Sequence, residues 1–364
     1  MYISPYEEIG TTLTAFAKIK TAIMNRCYIT GAEITEENKS VEHIIQNFLG
    51  GKLKSSSILC EEGNNSLGDT IDAELSRQIY LPTLLKIKRE NGKPRKIRGF
   101  NKEGRQYNYV DTGIAKRAPS KPIISQDENG KEVWEFQESQ EKDVIKAIMK
   151  RNPGMSEEEL KKRLTYTQLN KPEEIFFENH LNVISGKDAF RAIAKIGVNF
   201  YCCNGGDYGQ INQSIDFVKG NVDDEFPCVR YYYPEEVYSR TNEKEISHVL
   251  RLVADPVEGV AYCYIELFNA HNFLVTLSLN YSGEALDATY VFDVTSTEVL
   301  DNTTRDLDLT KRDLMLLPHP APSDVEQKYF ERQDRLAQLM GIEITRKSAD
   351  EVMKFLPNSG KGKL

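Results

Sequence analysis

The chain has 364 residues, a formal net charge of −8, and 40% hydrophobic and 28% charged residues, which is typical of a globular protein with two or three cores. No stretch reaches the roughly 18 apolar residues of a membrane helix, and Glu7 and Glu8 exclude a signal peptide at the start. Because the six cysteines also lack the spacing of a disulfide framework, we expect a cytoplasmic protein with free thiols.

Local patterns in residues 1–80 indicate four elements: a helix over 5–20, strands over 25–30 and 38–45, and a helix that begins at Asn64. The two strands are expected to form a hairpin that turns near residues 36–38. The double glycine at 50–51 then opens a loop that leads back to the second helix.

Positive charge is concentrated in residues 86–105, which hold nine Lys or Arg against two Glu. This local charge of +7 leaves −15 on the rest of the chain. Such a segment can bind nucleic-acid phosphates in a salt-dependent way, although a solvated hairpin explains the charge equally well. The predicted backbone-binding residues are Lys88, Arg89, Lys93, Arg95, Lys96 and Arg98.

Turn signals continue through the middle of the chain, where residues 86–136 predict short hairpins. The turns are expected at Asn91-Gly92, at 102–104 and at 128–130. A helix follows from 139 and ends at Asn152-Pro153-Gly154, and Ser156 with Glu159 forms a capping box for the next one.

The C-terminal part combines strong helical and strand patterns. Residues 189–203, AFRAIAKIGVNFYCC, have apolar side chains at helical spacing, and 324–340 form a second amphipathic helix. Alternating apolar residues predict strands near 260–264, 273–279 and 288–294. His248, Glu266 and His271 lie at uneven spacing on this region, which favours structural roles over a second metal site.

Glu42, His43 and Asn64 are residue types that a metal-dependent hydrolase uses in its active site. Glu42 offers a carboxylate and Asn64 an amide oxygen, which are ligands that Mg²⁺ prefers. His43 points to the other face of a strand from Glu42, where a neutral imidazole can act as a general base. Asn64 can equally serve as a helix cap.

These residues form a pattern that resembles the HNH endonucleases, the ββα-metal nucleases of bacterial restriction and phage defence. The matching positions are Glu42-His43-Ile44, Gly50-Gly51, Leu59-Cys60 and Asn64. The resemblance implies that Glu42 and Asn64 bind Mg²⁺ (or Mn²⁺) and that His43 is the catalytic base. It also implies DNA as the substrate, although RNA is not separated from DNA by these residues.

The chain departs from this family pattern at two places. Many members bind a structural zinc through four cysteines, but here Thr30 and Gly63 stand beside Cys27 and Cys60, so no structural zinc is expected. The family's middle asparagine falls within Ser55–Ser57. Candidates for side chains that support the metal ligands are Asn65, Ser57 and Asp72.

The sequence therefore predicts an α+β protein with three segments. They are an HNH nuclease unit with an N-terminal helix (1–82), a basic β-hairpin region (83–138), and a helix plus antiparallel-sheet unit for recognition or partner binding (139–364), through which the chain could also form a homo-oligomer. The predicted function is metal-dependent DNA cleavage in bacterial defence or restriction. The alternative is a non-catalytic nucleic-acid- or partner-binding subunit with a degenerate HNH unit.

Overall fold

The computed structural model describes most of the chain and divides it into two compact units. One unit contains residues 1–94 and 180–364, and the other contains residues 95–179. These bounds differ from the predicted segments, whose separate roles stay predictions. The described residues are 26–85, 87, 90, 96–101, 106–110, 115–118, 121–136, 140–154, 156–163, 176–177, 184–221, 226–233, 236–300, 304–316 and 322–340. The predicted helix over 5–20 and the turns at 91–92 and 102–104 lie outside them.

A short hairpin carries the Glu-His pair. Strand β1 (Glu42–His43) pairs antiparallel with β2 (Lys54–Ser55), so that Glu42 faces Ser55 and His43 faces Lys54. The expected pairing of residues 25–30 with 38–45 is wrong. A tight turn at Gly31 instead returns the chain so that Arg26 bridges to Glu33, which leaves β1 to pair with the strand after the double glycine.

The double glycine is required by the loop between these strands. Gly50 has φ +92°, a left-handed conformation that L side chains rarely adopt. Gly51 lies against the backbone of Ile45, where an added Cβ would be 1.9 Å from the carbonyl oxygen. Any side chain at position 51 would therefore displace the loop that follows β1.

Helical turns continue from Glu61 to Gln78, in three parts. They are α1 (Glu61–Leu67), a π-helical turn (Gly68–Asp72) and α2 (Ala73–Gln78), and a short α3 (Leu81–Leu84) follows. The helix begins three residues earlier than expected, so Asn64 lies inside the first turn. Single π-helical turns are frequently found at functional sites.

The unit of residues 95–179 contains the predicted hairpins. Its sheet has the order β5-β4-β3-β8, and β6 pairs with β7 through the expected turn at 128–130. The expected capping box is present, since Ser156 and Glu159 exchange hydrogen bonds between backbone N–H and side-chain oxygen. The elements are β3 (Lys96–Phe100), β4 (Gln106–Val110), β5 (Ala115–Arg117), β6 (Ile123–Gln126), β7 (Glu132–Glu135), α4 (Glu141–Arg151), α5 (Glu157–Arg163) and β8 (Phe176–Phe177).

The C-terminal residues form a six-stranded antiparallel sheet in the order β14-β13-β10-β11-β12-β9. The α+β prediction is confirmed, as are the helix within 187–203, the last helix and three of the strands. The sequence patterns do not predict the other three strands, β9, β10 and β14. The elements are α6 (Lys187–Cys203), α7 (Asn212–Lys219), β9 (Val229–Tyr231), β10 (Ser247–Asp255), β11 (Val260–Leu267), β12 (His271–Ser278), β13 (Leu286–Asp293), β14 (Glu298–Val299), α8 (Lys311–Leu316) and α9 (Pro322–Met340).

Helix α6 lies between the sheet and the helical turns of residues 61–78, and it contacts both. Its glycine at 197 allows close packing on the sheet, since a Cβ there would be 3.0 Å from Val275. Ile44 and Leu49 of the first hairpin share one hydrophobic core with sheet residues such as Leu250. In the described part of the chain no helix is long and apolar enough to cross a membrane.

A buried histidine links the sheet to the loop after β1. His248 on β10 is fully buried, with Nε2 3.0 Å from the carbonyl oxygen of Leu49, and its Nδ1 accepts a hydrogen bond from the Phe268 N–H at 3.3 Å. Nε2 must then carry the proton, and the ring is neutral. Burial lowers the pKa of His248 to about 4.

This neutral histidine predicts a pH-dependent stability. The pKa of His248 is 6.5 in the unfolded chain and about 4 in the folded one. The unfolded state therefore binds more protons below pH 6.5, and the free energy of unfolding decreases as the pH falls toward 4. Replacing His248 with Gln should reduce the loss of stability between pH 7 and pH 5 by about 2 kcal/mol. Urea unfolding at both pH values measures this loss, and an equal loss in both proteins would contradict the prediction.

Candidate active site

Strand β1 directs its two polar side chains to opposite sides, as expected for consecutive residues of a strand. Glu42 is only 5% exposed and faces α6. His43 is partly buried on the other side, where it faces Glu90. The carboxylate and the imidazole therefore have different environments.

The carboxylate of Glu42 is paired with a buried lysine. Lys195 Nζ on α6 lies 2.7 Å from Glu42 Oε1 and 2.6 Å from Asp72 Oδ2. The Lys195 side chain is 1% exposed. One ammonium group thus bridges two carboxylates, one from β1 and one from the π-helical turn.

Neutral side chains complete this network. Asn199, one turn after Lys195, donates through Nδ2 to Glu42 Oε1 at 3.2 Å and accepts from the Tyr28 hydroxyl at 2.7 Å. On the other side, Gln46 Nε2 donates to Asp72 Oδ1 at 3.0 Å. The charges are buried together with the hydrogen bonds that buried charges require.

Burial is the largest influence on the pKa of both charged partners. It raises the pKa of Glu42, and the nearby Lys195 offsets this only in part. Burial alone would lower the pKa of Lys195, but the charges and hydrogen bonds of Asp72 and Glu42 outweigh it, so that this pKa is raised. Lys195 is therefore a cation at neutral pH.

His43 faces an anion that it shares with two lysines. Its Nε2 is 3.4 Å from Glu90 Oε2 without hydrogen-bond geometry, and that oxygen accepts from Lys54 Nζ at 2.7 Å. Lys52 Nζ lies 3.7 Å from the other carboxylate oxygen. Burial lowers the pKa of His43, with the charge of Glu90 opposing it, so the imidazole is neutral at pH 7 and can accept a proton.

The remaining predicted residues are distributed unevenly. Asn64 donates through Nδ2 to Ser40 Oγ at 2.7 Å, and its Oδ1 has no hydrogen bond to any described residue. Asp72 joins the Glu42 network, whereas Asn65 and Ser57 are exposed and are not part of it. Of the predicted supporting residues, the structure brings only Asp72 toward Glu42.

The partners of both motif residues are absent from the sequence-based prediction. Lys195 and Asn199 lie on a predicted amphipathic helix, where two polar residues four apart on a mostly apolar helix indicate a buried polar contact. Glu90 enters the prediction only as a negative charge in a basic segment. The signal for Glu90 was weak, because nothing near it in the sequence points to His43.

Oxygen atoms of Glu42 and Asn64 are suitable ligands for Mg²⁺, but the arrangement around Glu42 does not fit a divalent ion. Lys195 already places a positive charge 2.7 Å from the carboxylate. Among the described residues, no group of three or more His, Cys, Asp or Glu side chains is placed to hold a metal ion. His248 and His271 on the sheet therefore belong to no such group.

The four positions of the family's zinc site lie together in the structure. Thr30 Oγ1 is 3.4 Å from Cys60 Sγ, and a Cβ added at Gly63 would lie 2.7 Å from Cys27 Sγ. Around a tetrahedral zinc, sulfur atoms are about 3.8 Å apart, given the Zn–S distance. In this cluster the Thr30 hydroxyl therefore packs against the Cys60 thiol, and Gly63 packs against the Cys27 thiol.

This proximity predicts that two cysteines create a zinc site. The double variant Thr30→Cys with Gly63→Cys should bind one zinc ion per chain and melt at a higher temperature, because four thiolates would then surround one point. Mass spectrometry of metal content and thermal melting measure this. The wild type and the single variant Thr30→Cys serve as controls, and a double variant without zinc would contradict the prediction.

Comparison with known families assigns this segment. A family model described as HNH endonuclease matches residues 27–80, which include β1, β2 and the helical turns through α2. No curated protein and no solved structure matches the chain. The match includes Glu42, His43 and Asn64, and it ends before Glu90 and Lys195. Residues 27–80 of this chain are therefore similar to the HNH endonuclease family.

Proposed function

We propose that the chain is an endonuclease that hydrolyses phosphodiester bonds in DNA, with His43 as the general base. The observation that carries this proposal is the convergence of His43, Lys52 and Lys54 on one carboxylate, that of Glu90. A position where two lysines and an imidazole meet one anion is suited to a phosphate group. The family match, which indicates nuclease activity, supports the same conclusion.

In this mechanism the substrate phosphate takes the position of the Glu90 carboxylate. His43 accepts a proton from a water molecule, whose oxygen forms a bond to phosphorus. The bond from phosphorus to the leaving oxygen breaks, and that oxygen takes a proton from solvent. Lys52 and Lys54 stabilise the negative charge that increases on the phosphate oxygens during attack.

The basic segment is proposed to bind the DNA backbone. Of its six predicted contacts, Lys96 and Arg98 lie on β3, and the Arg98 side chain is exposed. The other four, Lys88, Arg89, Lys93 and Arg95, lie outside the described residues. Contacts of this kind position a duplex without reading its sequence.

The finer parts of the function also rest on the resemblance. We propose a role in bacterial defence or restriction. The Mg²⁺ or Mn²⁺ that the resemblance implies, with Glu42 and Asn64 as ligands, could bind only if Lys195 were displaced from Glu42. The contact between Lys195 and Glu42 favours a second candidate, a non-catalytic nucleic-acid- or partner-binding subunit. His43 with its two neighbouring lysines favours the nuclease, because a binding subunit has no need of a neutral base at this point.

Replacing His43 with Ala should lower the rate of DNA cleavage by about 10²- to 10⁴-fold, because the base that activates water is lost. The fold and the affinity for DNA should stay nearly unchanged, since Nε2 of the imidazole makes no hydrogen bond to the described residues. Nicking of a supercoiled plasmid measures the rate, and circular dichroism and DNA binding serve as controls. Undiminished cleavage by the pure variant would refute the role of His43.

Charge changes around Glu90 should alter DNA affinity in opposite directions. The variant Glu90→Gln should bind DNA several-fold more tightly, because Lys52 and Lys54 lose their internal anion. Replacing both lysines with Gln should weaken binding and reduce the slope of log K against log salt by up to about 1.8. Fluorescence anisotropy in EDTA at several salt concentrations measures both effects.

A matched control for these variants is Lys39→Gln, which removes an exposed lysine whose ion-pair partner in the described part of the chain is Glu36. Its affinity and salt slope should equal those of the wild type. If Glu90→Gln left the affinity unchanged while the lysine variant reduced it no more than Lys39→Gln, the phosphate position would lie elsewhere.

A further inference from the structure

Helix α6 contains a charged residue where its surroundings are otherwise apolar. Lys195 is fully buried, and the next turn places Asn199 on the same side of the helix. Both side chains face residues 27–80, the HNH segment, since both contact Glu42. A lysine is almost never fully buried unless it is paired, so its partners explain its presence.

Those partners are two acidic groups that need a cation between them. Glu42 comes from β1 and Asp72 from the π-helical turn, and both lie within 2.7 Å of the same ammonium nitrogen. Two carboxylates this close together, one buried and one partly buried, repel each other unless a positive charge lies between them. In a metal-dependent HNH nuclease a divalent ion would supply the positive charge at Glu42.

We infer that the ammonium group of Lys195 takes the place of a divalent metal ion at Glu42. It excludes such an ion while α6 is packed against the HNH segment. The ammonium and Asn199 already supply two donors to the same oxygen, Glu42 Oε1. A metal ion at that oxygen would have to displace both. The inference concerns metal binding, and it therefore goes beyond the proposed cleavage reaction.

The position of α6 makes this exclusion stable. Phe190 packs edge-on against Phe273 and Tyr231 of the sheet, with ring centroids 6.5 and 6.0 Å apart. Gly197 lies directly against Val275. Lys195 lies between these two anchors, so its main chain cannot withdraw from Glu42 unless α6 also leaves the sheet.

An ordinary structural ion pair would have a different consequence. If Lys195 only joins two packed parts of the protein, its removal leaves two repelling carboxylates and no affinity for metal ions. If it occupies the place of an ion, its removal creates an oxygen-lined position that a divalent ion can fill. Metal binding by a lysine variant distinguishes the two.

The test uses the full chain with Lys195→Met, titrated with Mn²⁺ and followed by the electron paramagnetic resonance signal of the free ion. The variant should bind one Mn²⁺ per chain, and Mn²⁺ should raise its melting temperature, because a ligand of the folded state stabilises it. The wild type should show neither effect. Lys187→Met, which removes an exposed lysine of the same helix, is the matched control and should behave as the wild type.

A second change locates the ion. Adding Glu42→Gln to Lys195→Met should abolish Mn²⁺ binding. If Lys195→Met alone does not fold, Lys195→Met with Asp72→Asn removes one of the two repelling charges and keeps Glu42 as a ligand. This double variant should still bind Mn²⁺, more weakly.

Two results would overturn the inference. One is Mn²⁺ binding by the wild type that matches the Lys195 variant and is lost with Glu42→Gln. The other is the absence of Mn²⁺ binding in both Lys195 variants. Because no readout depends on cleavage, either result is independent of the proposed role of His43.

Discussion

One buried ammonium, that of Lys195, contacts the buried carboxylate of Glu42 and the partly buried carboxylate of Asp72. Lys195 joins β1, the π-helical turn and α6 at one point, and each of the three charges has its partners within hydrogen-bond distance. Removing one partner from such a buried group typically costs about 3–5 kcal/mol, because the remaining charge is left uncompensated. The geometry of Glu42 therefore depends on a helix far outside the HNH segment.

The two sides of β1 differ in what can replace their internal partners. On the Glu42 side the cation is a fully buried lysine whose helix is anchored to the sheet. On the His43 side the anion is Glu90, whose side chain is 36% exposed. A phosphate from solvent can therefore compete with Glu90 without a rearrangement of the core, whereas a metal ion at Glu42 must compete with the fold itself. The partners of the two sides of β1 are thus supplied by different parts of the chain.

Local patterns in the sequence were sufficient for α6, α9 and three strands of the sheet, because helix and strand periods depend on neighbouring residues. The motif residues Glu42, His43 and Asn64 lie within the segment that the family model matches, and their roles stay predictions. The pairing of β1 was not predictable, since Gly31 forms a turn that competes with the expected hairpin. The partner of Glu42 was not predictable either. Asn199 is 157 residues away from it, and local sequence does not contain the tertiary packing that brings them together.

The same packing explains how the HNH segment keeps its fold without four zinc-binding thiols. A segment as short as residues 27–80 buries too little apolar surface to be more than marginally stable alone, and many small domains add a metal for that reason. Here Ile44 and Leu49 join the core of the sheet, and His248 fixes the loop after β1 from the other side. The sheet and α6 together thus supply packing that compensates for the missing thiols, and α6 also carries Lys195. Because α6 is one of these supports, a movement of α6 that withdraws Lys195 from Glu42 also removes part of the packing of this segment.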